Sequence, residues 1–89
     1  MPFHRCAIHK DDGSTLAESV DVMIEELERP GANEWHGTMS TTHLVTLEAG
    51  HRYKLVLDDG RSGEFMVRRN TFAGGTNRAV AIQGMGPLR

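Results

Sequence analysis

The chain has 89 residues, with 10 Lys+Arg against 12 Asp+Glu for a net charge of -2, 38% hydrophobic and 6% aromatic residues, 10 glycines and a single cysteine. Such a chain, 1–89, reads as one small domain. It is too short for a large enzyme architecture and too hydrophobic and evenly charged for disorder, and per-residue scaling gives it a stability of about 4–13 kcal/mol. A lone Cys6 excludes an intrachain disulfide, the start MPFHRCAIHKDD carries no apolar stretch of signal-peptide length, and nowhere do ~18 apolar residues run together. The expectation is a cytoplasmic protein that is neither secreted nor embedded in a membrane.

The first element is FHRCAI, where Cys6 and Ile8 alternate with polar neighbours as in a strand that ends before Asp12-Gly13. Residues 16–29 admit two readings. Leu16, Val20, Met23, Ile24 and Leu27 stand at helical spacing, with Thr15 and Glu18 as a capping box and Pro30 as a stop. Val20, Val22 and Ile24 also alternate with Ser19, Asp21 and Met23, and three β-branched side chains suit a pleated surface better. The strand is preferred. It would pair with EWHGTM across a PGAN loop.

The clearest local structure spans residues 52–69. Tyr53, Leu55 and Leu57 alternate with polar residues, Phe65 and Val67 do the same, and DDGRSG between them supplies turn chemistry for a β-hairpin. If both apolar sets share a face, directly opposed residues sum to an even number and the loop has an odd length. A three- or five-residue loop centred on Gly60 follows, with a bulge at Arg61 or Ser62. A last strand, AVAIQ, alternates Val80 and Ile82 after the Gly74-Gly75 turn. Turn signals at Pro30-Gly31 and Ala49-Gly50 complete the pattern of an all-β, six-stranded antiparallel barrel or sandwich with closed or shielded edges. The alternative is an α+β fold with a helix at about 16–29.

DVMIEE, W-x-G-x-M, Y-x-L-x-L-D-D-G-R-S-G-E at 53–64 and Q-G-M-G-P-L at 83–88 together resemble a family of small, uncharacterised bacterial proteins. The resemblance spans most of the chain and implies an all-β domain. It brings no activity, cofactor or partner.

Chemistry-bearing residues are few. His4-x-Cys6-x-x-His9, with His36, His43 and His51 as further ligands, is the nearest approach to a metal cluster, but its spacing fits no paired Cys/His signature and Cys6 alternates in phase with Ile8. A buried thiol and no metal are expected. Glu25-Glu26 point to opposite sides of a strand and Asp58-Asp59 belong to a turn, so neither pair reads as an acid–base couple. The stretch Phe72–Arg78 offers glycine N–H groups and a cation to phosphate but lacks G-K-[ST] and a following helix. The domain is therefore read as non-catalytic and without a cofactor.

Charge is unevenly placed. Residues 11–34 hold eight carboxylates and Arg29, while residues 61–89 hold five arginines and Glu64, so opposed faces can orient a partner or pair head to tail. Two functions follow. The first is a protein-binding module with Trp35 as its anchor and five methionines for adaptable contact. The alternative is a small barrel that binds nucleic acid through Arg61, Arg68, Arg69 and Arg78. Against the latter, strict alternation sets Arg68 and Arg69 on opposite faces, one of them solvated or paired with the acidic segment 18–28.

Overall fold

Wherever apolar side chains alternate along the sequence, the backbone is extended. The computed structural model describes residues 3–26, 34–42 and 44–89. Its strands are β1 (Phe3–His9), β2 (Thr15–Glu26), β3 (Trp35–Thr42), β4 (Arg52–Leu57), β5 (Ser62–Phe72) and β6 (Asn77–Gly84). All neighbours run antiparallel, and the order β1-β2-β3-β6-β5-β4 closes on itself as a barrel. Closure settles the choice between barrel and sandwich. It also gives most backbone N–H and C=O groups of the strands a partner, which an open sheet edge would lack.

Residues 15–26 are strand throughout, so the helix alternative fails there. Val20, Val22 and Ile24 face the interior while Ser19, Asp21 and Glu25 face outward, the period-two reading of the segment. β2 bonds β1 on one side and β3 on the other, with Glu26 opposite Trp35 and Ile24 opposite Gly37. A helix would leave both neighbours with an unpaired edge. Leu27 to Asn33, including the Pro30-Gly31 turn and the PGAN loop, lie outside the described residues.

The β4–β5 hairpin has the even parity and three-residue loop that alternation requires, but the loop is residues 58–60, centred on Asp59 rather than Gly60, and the pairing shows no bulge at Arg61 or Ser62. Tyr53 stands opposite Phe65 and Leu55 opposite Gly63, and the Leu57 N–H donates to the Arg61 carbonyl at 2.7 Å across a three-residue loop. Gly60, at φ +94°, takes the left-handed position that a three-residue hairpin of this kind requires. The Tyr53 and Phe65 rings pack with centroids 5.9 Å apart.

Six strands leave an interior that side chains fill. Every strand contributes to it, from Cys6 and Ile8 of β1 round to Val80 and Ile82 of β6. One end is closed by Leu47, from the β3–β4 connection, whose carbonyl accepts a hydrogen bond from Asn70 Nδ2 at 2.9 Å. The other end is closed by Trp35 and the C-terminal residues. There the Met85 N–H donates to the Glu64 carbonyl, and Ser62 and Arg89 exchange N–H to carbonyl bonds at 2.8 and 3.0 Å.

Thr41 is the one buried side chain among the described residues whose polar atom, Oγ1, has no hydrogen-bond partner. An unsatisfied buried hydroxyl costs about 1–3 kcal/mol, and an apolar replacement of the same shape removes that cost. Thr41→Val is thus expected to raise the stability by about 1 kcal/mol, seen as a thermal midpoint about 4–8 °C higher. A lowered midpoint would show that the hydroxyl is satisfied in solution.

Candidate functional site

The sequence singles out Trp35, Arg61, Arg68, Arg69 and Arg78, and the fold separates them. Trp35 is 1% exposed. Its Nε1 donates to the Gly86 carbonyl at 2.8 Å, and a Cβ on Gly63 would meet its ring at 3.1 Å. The indole is a core residue that holds the C-terminal segment across the end of the barrel, and its expected role as a surface anchor is corrected accordingly. Its ring is the largest fully buried side chain, and only glycines at 63 and 84 leave room for it.

Arg61 is committed to its own fold. Its Nε bonds Asp59 Oδ2 and its Nη1 bonds Glu26 Oε1, both at 3.0 Å, tying the β4–β5 turn to the acidic end of β2. The Arg61 backbone N–H, followed by its side chain, holds the Asp59 carboxyl below its ordinary range. It is therefore Arg61, rather than Arg68 or Arg69, that pairs with the acidic segment.

Arg78 is half-buried at the Leu47 end, its Nε on Asn70 Oδ1 at 2.8 Å and its Nη2 on the Asn70 carbonyl at 3.0 Å. The phosphate-loop reading of residues 72–78 loses its cation at the same place, because Arg78 is committed to Asn70. The Ala73 N–H bonds the Asn77 carbonyl and the Asn77 N–H bonds the Gly74 carbonyl, closing an ordinary turn.

Arg68 and Arg69 are different. Val67 stands opposite Ile82 and Arg69 opposite Ala81, so Arg68 is an extra residue in β5 with no counterpart in β6. Such a bulge breaks the alternation. Val67 points in, Arg68 and Arg69 are both exposed, and Asn70 resumes the inward phase. The expectation that the two arginines face opposite ways is thereby corrected. Alternation continued from Phe65 and Val67 would bury Arg69, and avoiding an unpaired guanidinium in an apolar core is the physical reason for the shift.

The two arginines flank a groove of about 480 Å³ on the outside of β3, β6 and β5, shared with His36, Thr38 and Ala81. The strand register lays out this outer face in rows. Thr38, Ala81 and Arg69 form the row within the groove, and Ser40, Ala79 and Thr71 form the next row beyond it. The central strand carries only small side chains here, so its neighbours stand above it as rims. Arg69 makes no hydrogen bond or ion pair among the described residues, and Arg68 Nη1 reaches Gln83 Oε1 only at 3.5 Å. His36 Nε2 lies 3.6 Å from Glu25 Oε2. Sequence reasoning weighed His36 only as a metal ligand and did not single out Thr38; their alternation with the buried Trp35, Gly37 and Met39 was the available signal for an outward pair.

Two larger grooves lie elsewhere among the described residues. One of about 620 Å³ over β1, β2 and β3 is lined by Phe3, Arg5, Asp21 and Met23. In it Arg5 pairs with Asp21 at 3.4 Å and His4 with Asp58 at 3.3 Å. Another of about 750 Å³ lies among loop residues such as Lys10, Asp11 and Leu44, where His51 pairs with Glu48 at 3.2 Å. The first therefore leaves no arginine unpaired, whereas in the second Lys10 and Arg52 share the lining with the carboxylates Asp11 and Glu48.

The remaining chemistry is muted by geometry. His4 lies against Asp58 and His9 against Thr15, and no three of His, Cys, Asp and Glu gather into a metal-holding group among the described residues; His43 lies outside them. Burial, with Asp58 and Asp21 adding to it, pushes the Cys6 thiol up from its ordinary 9.0 to about 12. A protonated, 3% exposed thiol is a poor nucleophile. Cys6 is expected to resist a thiol reagent such as DTNB at pH 8 in the folded protein and to react fully in denaturant. Rapid reaction without denaturant would contradict its burial. The sign for stability follows. The folded state keeps the proton that the unfolded chain releases above about pH 9, so the contribution is present below that pH and is lost as pH rises toward 12.

No helix among the described residues is long and apolar enough to cross a membrane. Compared with known proteins, the chain matches no family model, no curated protein and no solved structure.

Proposed function

We propose that this barrel is a non-catalytic, cytoplasmic binding module that recognises another protein through the outer face of β3, β6 and β5. The observation that carries the reading is the β5 bulge, which turns Arg68 and Arg69 out together beside Ala81 on the groove's floor. Hydroxyls of Thr38, Ser40 and Thr71 and the half-buried Met66 surround them. Arginine and methionine above small and hydroxylated residues is the composition of a protein interface. An acidic segment is the matching partner, because two unpaired cations side by side repel until an anion sits between them.

Nucleic acid is the second reading, and the same two arginines favour it. Against it stand the net charge of -2, the carboxylates Glu25 on the flanking β2 and Glu64 on β5 itself, and the loss of Arg61 and Arg78 to internal contacts. A phosphate backbone needs a longer basic track than two residues.

The test is a pull-down from the source lysate with the wild type and with Arg68→Ala/Arg69→Ala, each with and without nuclease. Proteins retained after nuclease by the wild type and lost by the double variant are expected. Retention unchanged in the variant would remove this face from the reading. Recovery of nuclease-sensitive material alone would move it to nucleic acid.

A further inference from the structure

We infer that the group recognised between Arg68 and Arg69 is a phosphoryl monoester carried on a protein segment, an inference that rests on the protein-binding reading above. The donor set is the reason. Adjacent residues lie 3.8 Å apart at Cα, and where both side chains leave the same face two guanidiniums can close on one ligand. A carboxylate has two oxygens and one charge, and a single arginine fork satisfies it. Two forks with up to five N–H donors each, plus the Thr38 hydroxyl on the facing rim, call for more oxygens and more charge. A phosphorylated Ser, Thr or Tyr supplies three oxygens and a charge of about -1.5 to -2.

The surroundings limit the anion to one group. Glu25 sits at the His36 end of the groove, and Glu64 stands two residues beyond Met66 on β5. Asp21, opposite Ser40, carries another carboxylate along β2. A polyanion laid along the face would meet these carboxylates, whereas a single dianion centred on Arg68 and Arg69 avoids them. The small side chain of Ala79 in the next row leaves the face open to the peptide on one side of the modified residue, while Met66 and Gln83 stand on the other.

The experiment uses the full chain, isotopically labelled, in amide-resolved NMR titrations. The probes are a peptide library with phosphothreonine at a fixed position and randomised flanks, the same library with Glu or Thr at that position, and a thymidine oligonucleotide. The phosphothreonine library is expected to shift the amides of Thr38, Arg69 and Ala81 and to bind at least about tenfold more tightly than the Glu library. In Arg68→Ala/Arg69→Ala that binding is expected to fall by about tenfold or more, with the rest of the spectrum retained. Equal binding of the Glu and phosphothreonine libraries would overturn the phosphoryl inference and leave the acidic-segment reading standing. Binding of the oligonucleotide alone would overturn both. Phosphothreonine binding that is indifferent to the double substitution, or no binding of that library at millimolar concentration, also overturns the inference.

Discussion

Trp35→Ala is expected to cost the barrel a large share of its stability rather than to remove a surface contact from an otherwise unchanged protein. A fully buried tryptophan truncated to alanine costs about 3–5 kcal/mol, and the Gly86 carbonyl loses the indole N–H that it accepts at 2.8 Å. Against a total of about 4–13 kcal/mol for a domain of this length, that loss removes a large share of the stability, and all of it at the lower end of the range. Far-UV circular dichroism and a urea titration measure it directly. A Trp35→Ala protein with the wild-type spectrum and midpoint would put the indole back on the surface. Gly84→Ala attacks the same contact from the other side, because a Cβ there would overlap Nε1, Cε2 and Cδ1 of the ring. The two substitutions are in contact and their effects should not add. Trp35→Ala/Gly84→Ala is expected to be clearly more stable than the sum of the single losses predicts, since the added methyl fills part of the space that the ring leaves.

This pair of contacts also explains the closing stretch Gln83–Leu88. Gly84 makes room for Trp35, Gly86 receives its N–H, and Leu88 packs against the core. The stretch reads as a structural latch.

What could be read in the sequence follows from how local each cause is. The parity of the β4–β5 pairing was legible because alternation on both arms allows only one, but the register was not, since parity leaves the loop free to centre on Asp59 or Gly60 and the pairing centres it on Asp59. The strand at 15–26 was legible from three β-branched residues in phase, although its helical spacing competed. Ring order was not, because the pairings of β1 with β4 and of β3 with β6 join segments far apart in the chain and leave no local mark. Trp35 was ambiguous since a large aromatic serves either core or interface, and only the glycines facing it in space decide. The bulge at Arg68 did leave a trace. Val67-Arg68-Arg69-Asn70 cannot continue the inward phase without burying Arg69, and that conflict was the available signal that two arginines share one face. Arg78 carried no such trace, because Asn70 comes from another strand, and for Arg61 only the bond to Asp59 is local, its link to Glu26 of β2 leaving no mark in the sequence.

Gly37→Ala carries the second large expected effect, and it couples the fold to the proposed site. Gly37 is buried in β3, between Ile24 of β2 and Ile82 of β6. A Cβ built on it would overlap the backbone carbonyl oxygen of Met23, which is fixed in β2. A side chain in the way can rotate, but a ladder carbonyl moves only if its strand moves. β3 is bonded on both sides, so relief at β2 strains the pairing with β6. Overpacking against mobile side chains costs about 1–3 kcal/mol, and with backbone as the obstacle about 3 kcal/mol or more is expected. For a chain of this size the thermal midpoint should fall by about 12 °C or more. Gly60→Ala is the control. Its position has φ +94° but nothing within 4 Å, so only backbone strain of about 1–2 kcal/mol is expected. Equal losses for the two would show that conformational freedom, rather than the close approach of β2, requires the glycine at 37. Because β3 carries His36 and Thr38 on its outer side, ligand binding by Gly37→Ala should disappear in step with folding as temperature rises. Folded protein with a lost site would instead mean that the added methyl displaces β3 without melting it.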